Sequence, residues 1–113
     1  MLAAVAISLV ACASFKDTAG RSLASVAITA DSAMKGWAQW VALGKATDGQ
    51  QATVKDAYGK YQASMAIATN AYMAGVITGD TIGWERAASV LEANQVGLIS
   101  LITTFQTQTK IQP

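Results

Sequence analysis

The chain has 113 residues, 52% of them apolar and 13% charged, with a net charge of +1, one Cys, no His and one Pro. That length holds one domain, and a near-neutral chain with scattered basic residues has no electrostatic footprint for DNA or RNA. Without His it lacks the commonest general base and the commonest metal ligand, and one Cys makes neither an internal disulfide nor a cysteine zinc site. No metal or cofactor is expected. Twenty-three alanines favour helix.

Residues 2–11, Leu-Ala-Ala-Val-Ala-Ile-Ser-Leu-Val-Ala, are uncharged and apolar apart from Ser8, and Cys12 follows at once. Lys16, Asp17 and Arg21 then arrive within nine residues. The apolar run falls short of the ~20 residues that a membrane-spanning helix needs. It has the length of the hydrophobic region of a secretory signal.

The tetrad Leu9-Val10-Ala11-Cys12 resembles the bacterial lipoprotein box, in which two aliphatic or small residues and a small one precede Cys. The resemblance implies that the Cys12 thiol is acylated and that the chain is cut between Ala11 and Cys12. The small Ala11 side chain would fit the peptidase pocket. Ala13, where a retained lipoprotein would carry Asp, implies the periplasmic face of the outer membrane rather than the inner membrane. A signal normally opens with positive charge, whereas no Lys or Arg precedes this run, and an upstream start would supply it. Read from the residues alone, the segment also fits an apolar helix end with a buried cysteine, which would make the protein cytoplasmic.

Two clusters punctuate the remainder, Gly44-Lys-Ala-Thr-Asp-Gly49 and Thr78-Gly-Asp-Thr-Ile-Gly83. Each pairs a Gly suited to closing one helix with a Thr or Asp suited to capping the next. The expected fold is therefore all-α, an antiparallel three-helix bundle over about 15–44, 50–78 and 82–106. The corresponding division is a signal-like segment 1–11, a lipidated N-terminus 12–14, a bundle 15–108 and a tail 109–113.

Spacings of three and four support this reading. The first stripe is Ala19, Leu23, Val26, Ala30, Ala33, Trp37, Trp40 and Gly44. The second is Val54, Tyr58, Tyr61, Met65, Ala68, Tyr72 and Gly75. The third runs through Trp84, Ala88, Leu91, Leu98, Ile102 and Phe105, with Gln95 interrupting it. Asp17/Arg21, Asp31/Lys35 and Asp56/Lys60 place an acid four residues before a base, marking solvated faces. The core is thin: Leu, Ile, Val and Phe make up 20 of the 102 residues after position 11.

Motifs for chemistry are weak. Ser32-Ala-Met-Lys35 has the spacing of an acyl-transfer Ser/Lys pair, but the companion motifs and chain length are missing, and Lys35 reads as the partner of Asp31. Glu85 and Glu92 read as solvated carboxylates. Gly75, Gly79 and Gly83 have a helix-dimer spacing, yet they coincide with a turn, so capping is the better account. Val96–Ile102 reads as buried core. Tyr58, Tyr61 and Tyr72, with Asn94 and Gln95 flanking the Leu98 stripe, form a candidate interaction face, though packing and register explain them as well.

Signal, lipobox, size and helical layout together resemble small lipoproteins of bacteria and of tailed phages or prophages. The expectation is a non-enzymatic, lipid-anchored envelope protein whose bundle makes protein contacts or self-associates. A membrane-active lysis or holin-like protein and a soluble oligomeric structural subunit are the alternatives.

Overall fold

A computed structural model describes the backbone of residues 2–111 and the side chains of residues 15–108. Three helices follow in order, α1 (Leu2–Ala42), α2 (Asp48–Thr78) and α3 (Ile82–Ile111), with no strand among the described residues. They pack as a three-helix bundle in which α2 and α3 form the tighter pair and α1 docks on that hairpin. The boundaries depart from expectation at four ends, one of them the close of α1 at Ala42 rather than 44. Helical backbone continues through 2–14, because this Ala-rich stretch holds no Gly or Pro to stop it. At the other extreme, α3 runs past 106 to Ile111, again with no breaker in its path. α2 starts two residues early, at Asp48, because Thr47 is its cap.

Both connections are built as their residue types suggest. Gly44 adopts φ 72°, the left-handed region where a Cβ is costly. Its N–H donates to Val41 O at 2.9 Å, and Lys45 N–H donates to Trp40 O at 3.3 Å, which together make a Schellman closure. At Thr47, the side-chain oxygen accepts from Gln50 N–H at 3.1 Å while Gln50 Oε1 accepts from Thr47 N–H at 3.0 Å. This reciprocal capping box satisfies two N–H groups that the helix leaves unpaired. In the second connection Gly79, at φ 79°, donates to Gly75 O at 2.9 Å. Asp80 Oδ1 then accepts from Ile82 N–H at 3.2 Å and opens α3.

Burial follows the stripes. On α2 the buried residues Val54, Tyr61, Ala68 and Gly75 recur every seven positions, the period of a coiled-coil seam. Trp37 (5% exposed), Tyr61 (6%) and Leu98 (0%) lie in one core cluster, one from each helix. Ser64 is also buried, its hydroxyl donating to Tyr61 O at 2.9 Å, so its polarity is satisfied. Val96–Ile102 is core on one side only: Leu98 and Ile102 are buried, whereas Val96 is exposed.

The expected ion pairs are only partly formed. Among the described residues, Lys60 Nζ to Asp56 Oδ2 at 3.4 Å is the one that closes. Asp17, Arg21, Asp31 and Lys35 are exposed but unpaired, since holding two long side chains together in water gains little. Lys35 is therefore not the partner of Asp31.

Candidate functional site

With 41 residues against 31, α1 exceeds its neighbour α2 by about ten residues, or ~15 Å at 1.5 Å per residue. The surplus emerges at the end of the bundle that carries the α2–α3 turn, where Phe15 of α1 meets Gly75 of α2. In antiparallel helices three residues back along α1 match three residues forward along α2. Cys12 thus lies at the level of Thr78, where α2 ends. The side chains of Ala11 and Cys12, and the lipidation and cleavage expected there, lie outside the described residues.

Just inside this end is an aromatic knot. Phe15 and Trp84 meet edge to face at 6.0 Å and 85°, Tyr72 and Trp84 at 6.2 Å and 86°, and Phe15 and Tyr72 at 6.0 Å and 42°. Glycines create the room. A Cβ on Gly75 would lie 2.6 Å from the Phe15 ring, and one on Gly20 would lie 3.1 Å from Tyr72 Oη. The Tyr72 hydroxyl donates to Lys16 O at 3.1 Å and ties α2 to α1. Beside the knot, Phe15, Thr18, Ser22, Thr81, Trp84 and Glu85 line an open cleft of about 650 Å³.

The five residues of the candidate interaction face do not form one surface. Tyr58 and Tyr61 stack at 5.9 Å and 19°, and both border a cleft with Ala27, Ile28 and Asp31 between α1 and α2. Tyr72 is taken up by the aromatic knot. Asn94 borders Thr53, Ala57 and Lys60 in the α2–α3 groove, whereas Gln95 borders Ser22, Val26 and Trp84 in the α1–α3 groove. Asn94 and Gln95 thus flank Leu98 from opposite sides, as their positions suggest. Tyr61 is buried, and burial pushes its phenol above the usual 10.0, with the charges of Tyr58 and Asp31 adding to the effect.

Ser32, Lys35, Glu85 and Glu92 are all exposed. Among the described residues no hydrogen bond joins Ser32 to Lys35, and no cluster of three metal-ligating side chains occurs. Gly79 caps α2 as expected, but Gly75 does something else: it is buried and seats Phe15. At the far end, Lys45 Nζ sits 4.8 Å from the centroid of the Trp40 ring, whose buried Nε1 has no hydrogen-bond partner among the described residues.

Sequence reasoning missed Phe15, Gly20 and the exposed pair Ile77 and Ile82. Phe15 lay at the boundary between the expected signal and the bundle, outside any stripe. The usable signal for Ile77 and Ile82 was their place, an apolar residue on either side of the polar cluster Thr78-Gly-Asp-Thr81. No described helix is long and apolar enough to cross a membrane. No protein family matches this chain, and no curated protein or solved structure matches it either.

Proposed function

We propose that the protein is a non-enzymatic, lipid-anchored envelope protein that holds its bundle at a membrane for protein contacts, with Cys12 as the acylated residue. The observation that carries this reading is the position of Cys12. It closes the tetrad Leu9-Val10-Ala11-Cys12, is the one Cys of the chain, and stands just before the shift to Lys16, Asp17 and Arg21. Two or more acyl chains anchor stably, whereas one binds marginally, and the near-neutral bundle adds no electrostatic attraction of its own.

The test is metabolic palmitate labelling combined with an intact mass of protein taken from cells. Wild type should incorporate label and lack residues 1–11, and Cys12→Ser should lose the label and remain uncut. Equal labelling of the two forms would overturn the reading. The unbroken backbone of α1 from Leu2 favours a second reading, an uncut subunit whose N-terminal helix packs in an oligomer. Retention of Met1 in the intact mass selects that one.

A further inference from the structure

We infer that the α2–α3 turn end of the bundle is itself a lipid-contact surface, with Ile77 and Ile82 seated in the bilayer interface and the helices standing end-on to the membrane. The inference deepens the anchored reading and rests on it for the position of the anchor. Ile77 is 74% exposed and Ile82 80%, and they flank the short turn at Gly79, Asp80 and Thr81. Met73 and Val76 extend the same exposed apolar surface back along α2, since residues three and four apart share a helix face. Exposed apolar side chains are ordinary when scattered, but a contiguous group signals something that covers it.

What covers this group is indicated by its place. The apolar segment 2–11 leaves the bundle at this end, and Cys12 lies level with Thr78, one residue past Ile77. An acyl chain on Cys12, or the uncut apolar helix, would bring the turn against lipid. Trp84 and Tyr72 stand just inside, in half-buried positions, and such amphipathic rings favour the level of lipid headgroups. Around this end Lys16, Arg21 and Arg86 are matched by Asp17, Asp80 and Glu85. The contact is therefore driven by apolar burial rather than by anionic lipid.

Tryptophan emission reads the geometry directly. Trp84 lies at the turn end, while Trp37 packs on Phe105 at the other, ~30 Å away along α3. The full chain purified from cells is placed in vesicles of phosphatidylethanolamine and phosphatidylglycerol with brominated acyl chains. Bromine should quench one component of the emission, and Trp84→Phe should remove that component. Ile77→Ser/Ile82→Ser should lose at least half of that quenching with helicity unchanged, while Ile67→Ser, mid-bundle and 61% exposed, should lose none. Undiminished quenching in the double variant would overturn the inference. So would quenching that survives Trp84→Phe, which describes a bundle lying flat, or lipid-free self-association that the double variant abolishes, which describes a second copy on this face. Palmitate labelling separates the two proposals. An unacylated chain with quenched Trp84 loses the anchor and keeps this contact, and an acylated chain with unquenched Trp84 does the reverse.

Discussion

The Phe15 ring lies so close over Gly75 that its Cε1 and Cζ are each 2.6 Å from where a Cβ would be. Glycine is a poor helix residue, costing up to ~1 kcal/mol relative to Ala, so its presence within a helix calls for a local reason. At Gly75 the reason is the seat for Phe15. Gly59, on the same helix, is exposed and has nothing within 4 Å of a Cβ. Gly59→Ala should therefore raise stability by ~0.5–1 kcal/mol. Gly75→Ala should gain the same helix term and lose it again as Phe15 is pushed off Tyr72 and Trp84, pairs worth ~0.5–1.5 kcal/mol each. The expected net is zero to ~2 kcal/mol of destabilisation. Parallel thermal melts check this, and an equal rise in both variants would remove the packing role of Gly75.

Leu98 and Trp37 should be the most sensitive positions of the thin core. Leu98 is fully buried and Trp37 is 5% exposed, in contact with Phe105 at 6.0 Å between centroids. Truncating a buried Leu to Ala costs ~2–5 kcal/mol, and Trp to Ala ~3–5. Small domains hold only ~5–15 kcal/mol in all. Helical circular dichroism of Leu98→Ala or Trp37→Ala should accordingly fall away near room temperature. Glu92→Ala, on an exposed face, should change stability by less than ~0.5 kcal/mol.

The seam and the turns were legible in the sequence because each depends on chemistry local to a few residues. Trp37, Tyr61 and Leu98 stood at the centres of three stripes and meet in the core, and Gly44, Thr47 and Gly79 close and open the helices as their residue types suggest. The aromatic knot was not legible, because Phe15, Gly20, Tyr72 and Gly75 come together only when α1 docks on α2. Their spacing puts Tyr72 and Gly75 on the second stripe but does not say which residue of α1 meets them. The same limit explains the interaction face: Tyr58, Tyr72 and Asn94 share a plausible pattern, but the rotation of α2 against its two neighbours assigns them to different grooves.

Thr47 offers a test of how much a single cap contributes to the α2–α3 hairpin. Its hydroxyl and the Gln50 side chain exchange hydrogen bonds of 3.1 and 3.0 Å with each other's backbone. Replacing an N-cap Thr with Ala costs ~0.5–2 kcal/mol. Thr47→Ala should lie in that range, while Thr47→Asp should retain most of the stability, because its carboxylate can accept from the same N–H. Denaturant melts of the two variants distinguish the lost acceptor from a mere change of side-chain volume.

Tyr61 gives stability a dependence on alkaline pH. Its phenol titrates above the ordinary 10.0, chiefly because burial disfavours the charged form, with Tyr58 and then Asp31 adding repulsion. An unfolded Tyr ionises near ~10. Below that pH both states keep the proton, and the contribution of Tyr61 to stability is constant and fully present. Above it the unfolded chain sheds the proton first, so the unfolded state binds fewer protons than the folded one and stability falls as pH rises. The fall continues until the folded phenol also ionises. Tyr61→Phe should therefore show a shallower loss of stability above pH ~10, with the wild-type and variant profiles running parallel at neutral pH. Asp31→Asn removes the weakest of the three causes and should bring the Tyr61 ultraviolet titration only a little way back toward 10.0. Identical alkaline slopes for wild type and Tyr61→Phe would show that the phenol is not held neutral by the fold.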